Sequence, residues 1–253
     1  MWPKIGVAPT YGVLCLTGAV VHFLIGRWAA RRAGLKRRVW IVTGLGYLLG
    51  MTLGARILYD LRHSLFEFSA LLNYQYWARG GLWGGLLVYF VLAVPLVLPL
   101  TRQRRAALDL VAVTTPIPWA LTKLGCLFNG CCYGKPCSLP WAVTFPEGSR
   151  IAPAGVPLHP SQLYEIALMA IILVVFFVLR SPRWRGAKLL WFLAIYGLGR
   201  AATDLLRGDI DPVGAIGPLT LTQFICLAAA GAALIGLLLI RRANVTATTK
   251  SAS

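Results

Sequence analysis

Seven long apolar segments constrain the fold of this chain more than any other feature. They cover approximately residues 6–28, 39–58, 81–101, 107–128, 161–180, 188–206 and 218–240. An α-helix crosses the apolar part of a bilayer in about 20 residues, and apolar residues run continuously through each segment instead of alternating. Only 13% of the residues are charged and 58% are hydrophobic. We therefore predict an all-α polytopic membrane protein with seven transmembrane helices.

The basic residues predict how these helices are oriented. The formal net charge is +17, and sixteen of the 25 basic residues fall in alternate connections and in the C-terminal tail. Because an excess of Lys and Arg marks cytoplasmic loops, we expect the N-terminus outside and the C-terminus in the cytoplasm. Residues 1–242 are predicted to form a single seven-span domain, and the small, polar segment 243–253 a disordered cytoplasmic tail. Nucleic acid is not expected as a partner, since no soluble domain is left to carry a basic surface.

The connection at residues 59–80 is rich in aromatic side chains. It is consistent with a helix that lies in the membrane interface. It is equally consistent with an ordinary loop whose aromatic residues anchor at that interface. The sequence favours neither interpretation.

Charged residues inside apolar segments are costly and usually face the protein interior. Here they are Arg56, Lys123, Glu165, Arg200, Asp204 and Arg207. Arg200 and Asp204 are four residues apart, so they share a helix face and can pair. The charges either neutralise one another between helices or leave an excess of basic groups that binds an anionic headgroup. The larger number of basic residues favours a phosphate ligand, which suits the two parallel bonds that arginine can donate.

A polar stretch, "LHPSQLYE", begins the fifth segment at residues 158–165. Ser161 is predicted to cap this helix, with Gln162 and Glu165 in its first turn, where a carboxylate is favoured. Helix capping does not explain His159 or Tyr164.

Four cysteines lie within residues 126–137 at the spacing C-x4-C-C-x4-C. A zinc site is disfavoured, because two adjacent cysteines do not readily bind one ion. The alternatives are a disulfide in an oxidising compartment, a thiol-exchange site or small buried thiols. Composition alone does not distinguish them.

Several motifs together resemble the prolipoprotein diacylglyceryl transferase family, which are bacterial inner-membrane enzymes. The motifs occur in the order of the family and spread over most of the chain. They are "TYGVL" (10–14), "GARILY" (54–59), "GGLWGGL" (80–86), "LGCLFNGCCYGKP" (124–136), "LHPSQLYE" (158–165) and "YGLGRAATDLLRGD" (196–209).

The resemblance implies transfer of a diacylglyceryl group from phosphatidylglycerol to the lipobox cysteine thiol of a preprolipoprotein, with glycerol phosphate as the leaving group. The implied partners are phosphatidylglycerol, membrane lipid and the preprolipoprotein signal peptide. No metal or dissociable cofactor is implied, and the nucleophile belongs to the substrate. The active site is expected to face the outer, periplasmic side of the bacterial inner membrane.

The same resemblance implies a set of site residues, with Arg200 holding the lipid phosphate and stabilising charge on the leaving group. The candidate catalytic residues are Tyr11, Arg200, Asp204 and His159. The candidate substrate-binding residues are Arg56, Lys123, Asn129, Gly130, Gly134, Gln162, Glu165 and Arg207.

The chain departs from the family pattern at five positions. Trp83 stands where the family has a histidine, and Lys123 replaces an arginine. Cys126 replaces an asparagine, Cys131 replaces a glutamate, and Asp204 replaces a glutamate but keeps the acid.

Without the family histidine, Tyr11 and His159 are the candidate bases for the substrate thiol. Two alternative functions follow from the departures. One is a membrane thiol–disulfide oxidoreductase that uses the 126–137 cysteines, and the other is a divergent homologue that acts on another lipid or thiol. A channel or transporter is disfavoured, because the charges cluster at one depth instead of tracing a path across the membrane.

Overall fold

The computed structural model describes residues 4–5, 8–57, 82–147, 151–179, 184, 186–209 and 219–252. The aromatic connection at 59–80 lies outside the described residues. Within them the chain is almost entirely helical, with four two-residue strands. The class predicted from the sequence, an all-α polytopic protein, is therefore confirmed.

The first part of the chain contains a short hairpin and two helices. Strands β1 (Lys4–Ile5) and β2 (Ala8–Pro9) pair antiparallel. Helix α1 (Thr10–Arg32) follows directly, and α2 (Arg37–Leu49) continues into a π-helical turn at Gly50–Gly54. The basic end of α1 contains Arg31 and Arg32, where positive charge is favoured by the helix dipole.

Proline residues mark the breaks in the middle of the chain. Helix α3 (Leu82–Val97) carries Pro95 near its end and passes into a 3₁₀ turn at Leu98–Leu100. The predicted segment 107–128 contains two helices, α4 (Arg104–Val113) and α5 (Pro116–Asn129). The break precedes Pro116, because proline lacks the N–H that would continue the hydrogen-bond ladder.

The C-terminal part brings together the elements that carry the polar motifs. Strands β3 (Val143–Thr144) and β4 (Pro157–Leu158) pair antiparallel ahead of α6 (Ser161–Val178). Helices α7 (Lys188–Leu205) and α8 (Leu221–Ala252) follow. Helix α8 extends through the segment for which the composition predicts disorder.

Five helical stretches of the described residues are long and apolar enough to cross a membrane. They are Thr10–Arg32, Arg37–Ile57, Arg104–Asn129, Ser161–Val178 and Leu221–Arg242. Gly84–Leu100 is apolar but shorter, and α7 carries Lys188, Arg200 and Asp204 within its 18 residues. The polytopic prediction is confirmed, whereas the count of seven spans stays a prediction.

The chain forms two compact units. One contains Met1–Gly18 with Thr115–Ser253, and the other contains Ala19–Thr114. In the first unit α6 packs against both α5 and α7, and α7 packs against α8. A small core of Phe145, Ala152 and Leu158 packs against Leu127 and Tyr133. It supports the cysteine-containing loop.

Candidate active site

Three packed helices bring four charged side chains together inside the first unit. The Lys123 Nζ atom on α5 lies 2.7 Å from Oε1 of Glu165 on α6. Arg200 on α7 lies 3.5 Å from the same oxygen and also pairs with Asp204 one turn further along. All four residues are 4% exposed or less. We call these four residues the charge cluster.

Glu165 is the centre of the charge cluster. Its Oε1 atom faces Lys123 and Arg200, and its Oε2 atom accepts a hydrogen bond of 3.1 Å from the indole N–H of Trp119. The Lys123 Nζ atom also lies 5.1 Å from the centroid of the Trp119 ring. A buried carboxylate is tolerated only when its oxygens are satisfied in this way.

The balance of charge differs from the sequence expectation. Arg207, just beyond α7, donates from Nε and Nη2 to the two carboxylate oxygens of Asp209 at 2.8 and 2.9 Å. With this pair included, three basic groups face three carboxylates, so the expected excess of positive charge is absent from these six described residues. The Nε atom of Arg200 is nevertheless buried with no hydrogen-bond partner in the described part of the chain. Both carboxylate oxygens of Asp204 are likewise buried without a hydrogen bond among these residues, although Asp204 forms an ion pair with Arg200.

The cysteine loop begins where α5 ends. Gly130 follows the helix in the left-handed region, with φ +75°, which is the usual role of a C-terminal glycine. The Cys131 N–H donates back to the Cys126 carbonyl at 3.1 Å, and Cys132 also has a positive φ of 61°. A residue other than glycine is uncommon there. The chain consequently turns back on itself beside the last turn of α5.

This turn gathers three of the four cysteines. The Sγ atoms of Cys126, Cys131 and Cys132 all lie within 4.8 Å of one another. The adjacent Cys131 and Cys132 therefore do face one place on this backbone, and the expectation against a zinc site stays a prediction. All six cysteines of the chain are free thiols in the structure. We call Cys126, Cys131 and Cys132 the thiol cluster.

Backbone hydrogen bonds tie the cysteine loop to its neighbours. Gly134 N–H donates to the His159 carbonyl at 2.9 Å, and His159 N–H donates to the Lys135 carbonyl at 3.0 Å. Lys135 N–H donates to the Leu206 carbonyl at 2.7 Å. A methyl group at Gly134 would clash with His159, so only glycine permits this close approach. Gly134 is thus a positioning residue of the loop wall.

The first turn of α6 holds the thiol cluster next to the charge cluster. The Ser161 hydroxyl donates to the Cys132 carbonyl, and Gln162 Nε2 donates to the Cys131 carbonyl at 2.7 Å. The capping prediction for Ser161 was wrong, because its side chain makes no cap hydrogen bond. Glu165 lies one turn further along the same helix, and on α5 Lys123 lies one turn before Cys126. The two clusters are therefore adjacent on two helices.

The remaining predicted residues lie at several places. Tyr11, in the first turn of α1, packs on α5, since a methyl group at Gly125 would lie 3.3 Å from its Cδ2 atom. His159 Nδ1 lies 3.1 Å from the Tyr164 hydroxyl. Asn129 ends α5 and is exposed. Arg56 is buried in the other unit.

Two groups beyond the helices have shifted pKa values. Hydrogen bonds from Cys126 and then Cys131 lower the pKa of the Cys132 thiol well below its ordinary value, and the nearby charges of Lys123 and Arg207 act in the same direction. Burial alone would lower the pKa of Arg207, but Cys132 and Asp209 raise it above its ordinary range. The loop therefore favours one thiolate paired with cationic groups.

Sequence reasoning missed three residues that the structure shows to matter. Trp119 lies four residues before Lys123 on α5, so helical spacing could have indicated their contact. Asp209 is two residues from Arg207, a short-range pairing that the sequence permits. His22 is fully buried in the other unit, where its Nε2 atom lies 3.3 Å from the Tyr89 hydroxyl, and a single histidine in an apolar helix gave no signal.

Comparison with known proteins gives one consistent result. A family model described as prolipoprotein diacylglyceryl transferase matches residues 4–239. A phosphatidylglycerol–prolipoprotein diacylglyceryl transferase of Geobacter sulfurreducens is 31% identical over 85% of this chain and 84% of its own length. Proteins of the same name from Solidesulfovibrio magneticus and Vibrio vulnificus are each 33% identical, over 86% and 82% of this chain and 84% and 77% of their own lengths.

Proposed function

Since the chain belongs to the prolipoprotein diacylglyceryl transferase family and transfers a diacylglyceryl group from phosphatidylglycerol to a prolipoprotein, we propose that the charge cluster binds the lipid phosphate. The acceptor is the thiol of the lipobox cysteine. The observation that carries the proposal is Arg200, a buried guanidinium between two carboxylates whose Nε has no partner among the described residues. A phosphate oxygen supplies the acceptor that this N–H lacks.

The reaction requires stabilisation of charge on the leaving group. The thiol sulfur attacks the glyceryl carbon that carries the phosphate, a C–S bond forms and the C–O bond breaks. The bonding electron pair moves to the phosphate oxygen, so negative charge grows next to Arg200. A fixed donor at such a position contributes about 10²–10³ in rate. Tyr11 and His159 are retained as candidate acceptors of the thiol proton.

The orientation in the membrane completes the proposal. The protein is a multi-pass protein of the bacterial inner membrane with seven spans, an outer N-terminus and a site that faces the periplasm. Support comes from the basic connections, for example residues 27–38 and 102–105, which mark the cytoplasmic side. The charge cluster and the thiol cluster are at the opposite ends of α5 and α7 from the connections of that side.

The direct test uses purified protein in detergent with phosphatidylglycerol and a synthetic lipobox peptide, followed by mass spectrometry of the peptide. We expect a diacylglyceryl mass on the peptide cysteine. Arg200→Ala should lose at least about 100-fold in rate, whereas Arg105→Ala, which removes an exposed basic residue, should transfer normally. Unmodified peptide, in an assay where the Geobacter sulfurreducens relative is active, would reject the proposal.

A second candidate function is favoured by the thiol cluster. Three sulfur atoms within 4.8 Å and a Cys132 pKa that is lowered are features of thiol–disulfide oxidoreductases. This function predicts exchange with a dithiol peptide that is lost in both Cys131→Ser and Cys132→Ser. A divergent homologue that acts on another lipid or thiol would instead retain Arg200 dependence in the transfer assay with that other substrate.

A further inference from the structure

We propose that Cys126, Cys131 and Cys132 form a zinc site whose fourth ligand is the thiol of the acceptor cysteine. The inference rests on the proposed transfer to a lipobox thiol and assigns the step that activates this thiol. It also assigns a use to the cysteines that replace the asparagine and glutamate of the family pattern. The charge cluster would bind the lipid, and the thiol cluster would bind the nucleophile.

The distances between the sulfur atoms suit one ion. Zinc bound by cysteine has Zn–S distances of about 2.3 Å in tetrahedral geometry, which places the sulfur atoms about 3.8 Å apart. The three Sγ atoms lie within 4.8 Å of one another. The sulfur separations therefore exceed the ideal value by at most about 1 Å. The backbone is already arranged for it, because the turn at Gly130 and Cys132 returns the loop to Cys126.

The number of cysteines also fits a catalytic zinc site. Structural zinc sites are closed by four protein ligands, whereas catalytic sites have three protein ligands and an open position. Only three cysteines of the described chain converge. Cys137 is not part of the thiol cluster. Its backbone N–H donates to the Pro157 carbonyl at 3.0 Å. An external thiol can therefore complete the tetrahedron.

The surrounding charges compensate the bound ion. Three thiolates and one divalent zinc ion together carry one negative charge. The basic groups near the cluster are Lys123, one helical turn away on α5, and Arg207, whose strand bridge with Gly134 joins it to the loop. The carboxylates of Glu165 and Asp209 are already paired with these two residues. A metal–thiolate centre that is anionic overall therefore lies beside basic groups and not beside unpaired acids.

The chemistry balances without a change of oxidation state. A thiol that binds zinc loses its proton outright, and the proton passes to water, so in this step neither Tyr11 nor His159 is needed as the base. The bound thiolate sulfur then uses a lone pair to form the C–S bond to the glyceryl carbon. The C–O bond to the phosphate breaks and its electron pair leaves with glycerol phosphate. The thioether product is a weaker ligand than a thiolate, so zinc remains bound to the three protein sulfurs for the next acceptor.

The first experiment measures metal directly. Reduced, purified protein is dialysed against a zinc buffer, and zinc per chain is determined by mass spectrometry. We expect about one zinc per chain, bound by three ligands of the kind in a catalytic site, in the wild type and in the matched control Cys137→Ser. Stoichiometric zinc should be lost in Cys126→Ser, Cys131→Ser and Cys132→Ser. If buried Cys126→Ser fails to fold, the other two variants, at half-buried positions, still decide the result.

X-ray absorption at the zinc edge supplies a measurement that is independent of variants. We expect three sulfur neighbours at about 2.3 Å in the protein alone and four after addition of a lipobox peptide, but three with the peptide in which the cysteine is serine. Transfer activity should fall at least tenfold on chelation and return with zinc.

The outcomes separate this proposal from the proposed function. Diacylglyceryl transfer by a protein that binds no zinc, with Cys131→Ser and Cys132→Ser fully active, would overturn the zinc site and leave the transferase intact. Zinc bound by the three cysteines without transfer to any lipobox peptide would leave the metal site and reject the acceptor. A disulfide between two of the three cysteines in the purified protein, together with no zinc uptake after that disulfide is reduced, would overturn the zinc site. That result would favour redox chemistry.

Discussion

A polar cluster is buried among the described residues of each compact unit, and the two clusters differ in charge. The charge cluster in the first unit is ionic and joins three helices through Glu165 and Arg200. The cluster in the residue 19–114 unit is made of neutral hydrogen-bonding groups. Since both clusters are buried, comparing them separates the effect of charge on stability from the effect of burial.

The neutral cluster is built on aromatic side chains. The His22 ring stacks on Tyr47 with 4.2 Å between the centroids, and its Nε2 atom lies 3.3 Å from the Tyr89 hydroxyl. That hydroxyl donates to the Val111 carbonyl at 3.2 Å and lies 3.3 Å from the Thr114 hydroxyl. These contacts connect helices α1, α2, α3 and α4, although the Nδ1 atom of His22 is buried without a hydrogen-bond partner among the described residues.

The two clusters differ in how much stability is lost when one partner is removed. Neutral hydrogen bonds contribute about 1 kcal/mol each, and their removal leaves no charge behind. Removal of one partner from a buried ion pair leaves the other charge uncompensated, at a cost of about 3–5 kcal/mol. On the proposed function the ionic cluster binds the substrate, whereas the neutral cluster joins helices.

The largest expected effect comes from Glu165→Gln. The substitution leaves Lys123 and Arg200 buried without their shared counter-charge, so the free energy of unfolding in detergent should fall by about 3–5 kcal/mol. Denaturant titration followed by circular dichroism measures it. The exposed Glu147→Gln is the matched control and should change stability by less than about 0.5 kcal/mol. Adding Lys123→Met to Glu165→Gln should recover part of the loss, and a loss that is merely additive would contradict the ion-pair assignment.

The next effect concerns rate and not stability. Arg200→Lys keeps the charge but loses the planar donor geometry, so transfer should slow at least tenfold, equal to about 1.4 kcal/mol in the barrier. The thermal midpoint should change much less than it does in Arg200→Ala. Rates are compared by mass spectrometry of the lipobox peptide, with Arg105→Lys as the control. Equal rates for Arg200→Lys and the wild type would show that Arg200 acts only as a structural counter-ion.

A smaller effect is expected in the neutral cluster. Tyr89→Phe removes the hydroxyl that joins His22 to Thr114, and the free energy of unfolding should fall by about 1 kcal/mol. The rate of transfer per folded molecule should be unchanged. A loss of transfer at full folding would break the comparison, because it would give the neutral cluster a role in the reaction.

The smallest effect is expected at the edge of the ionic site. Arg207 and Asp209 are 13% and 20% exposed in their side chains, so solvent weakens their pairing. Asp209→Asn should lower stability by at most about 1 kcal/mol. A loss as large as that of Glu165→Gln would show that the ionic site extends further beyond α7 than the burial indicates.

Much of this site could be predicted from the sequence because charges are conspicuous in apolar segments. Lys123, Glu165, Arg200 and Asp204 were identified in this way, and the structure brings all four together. Their pairing pattern could not be predicted, because it depends on how α5, α6 and α7 pack. The pairing of Arg207 with Asp209 was not foreseen either, because Asp209 was not counted as a partner of Arg207.

The fold was predicted at the level of helices but not at their ends. The apolar run at 107–128 gave no indication of the break at Thr114 and Thr115, although Pro116 supplies its cause. The thiol cluster could not be predicted either. Its geometry depends on the positive φ of Cys132, which is uncommon for a residue with a side chain and carries no sequence signature. His22 and Tyr89 are ordinary members of apolar helices, so their hydrogen bond is visible only in the structure.

Main-chain hydrogen bonds hold the cysteine loop against His159 and Leu206. Every residue except proline offers the same backbone donor and acceptor, so the loop keeps its place as long as Gly130 and Gly134 are retained. Substitution of the half-buried Cys131 by an amide or carboxylate residue is therefore expected to leave the loop in place. The conformation of the loop thus depends on its backbone, whereas its reactivity depends on its side chains. A change of reactivity at this loop does not require a change of fold.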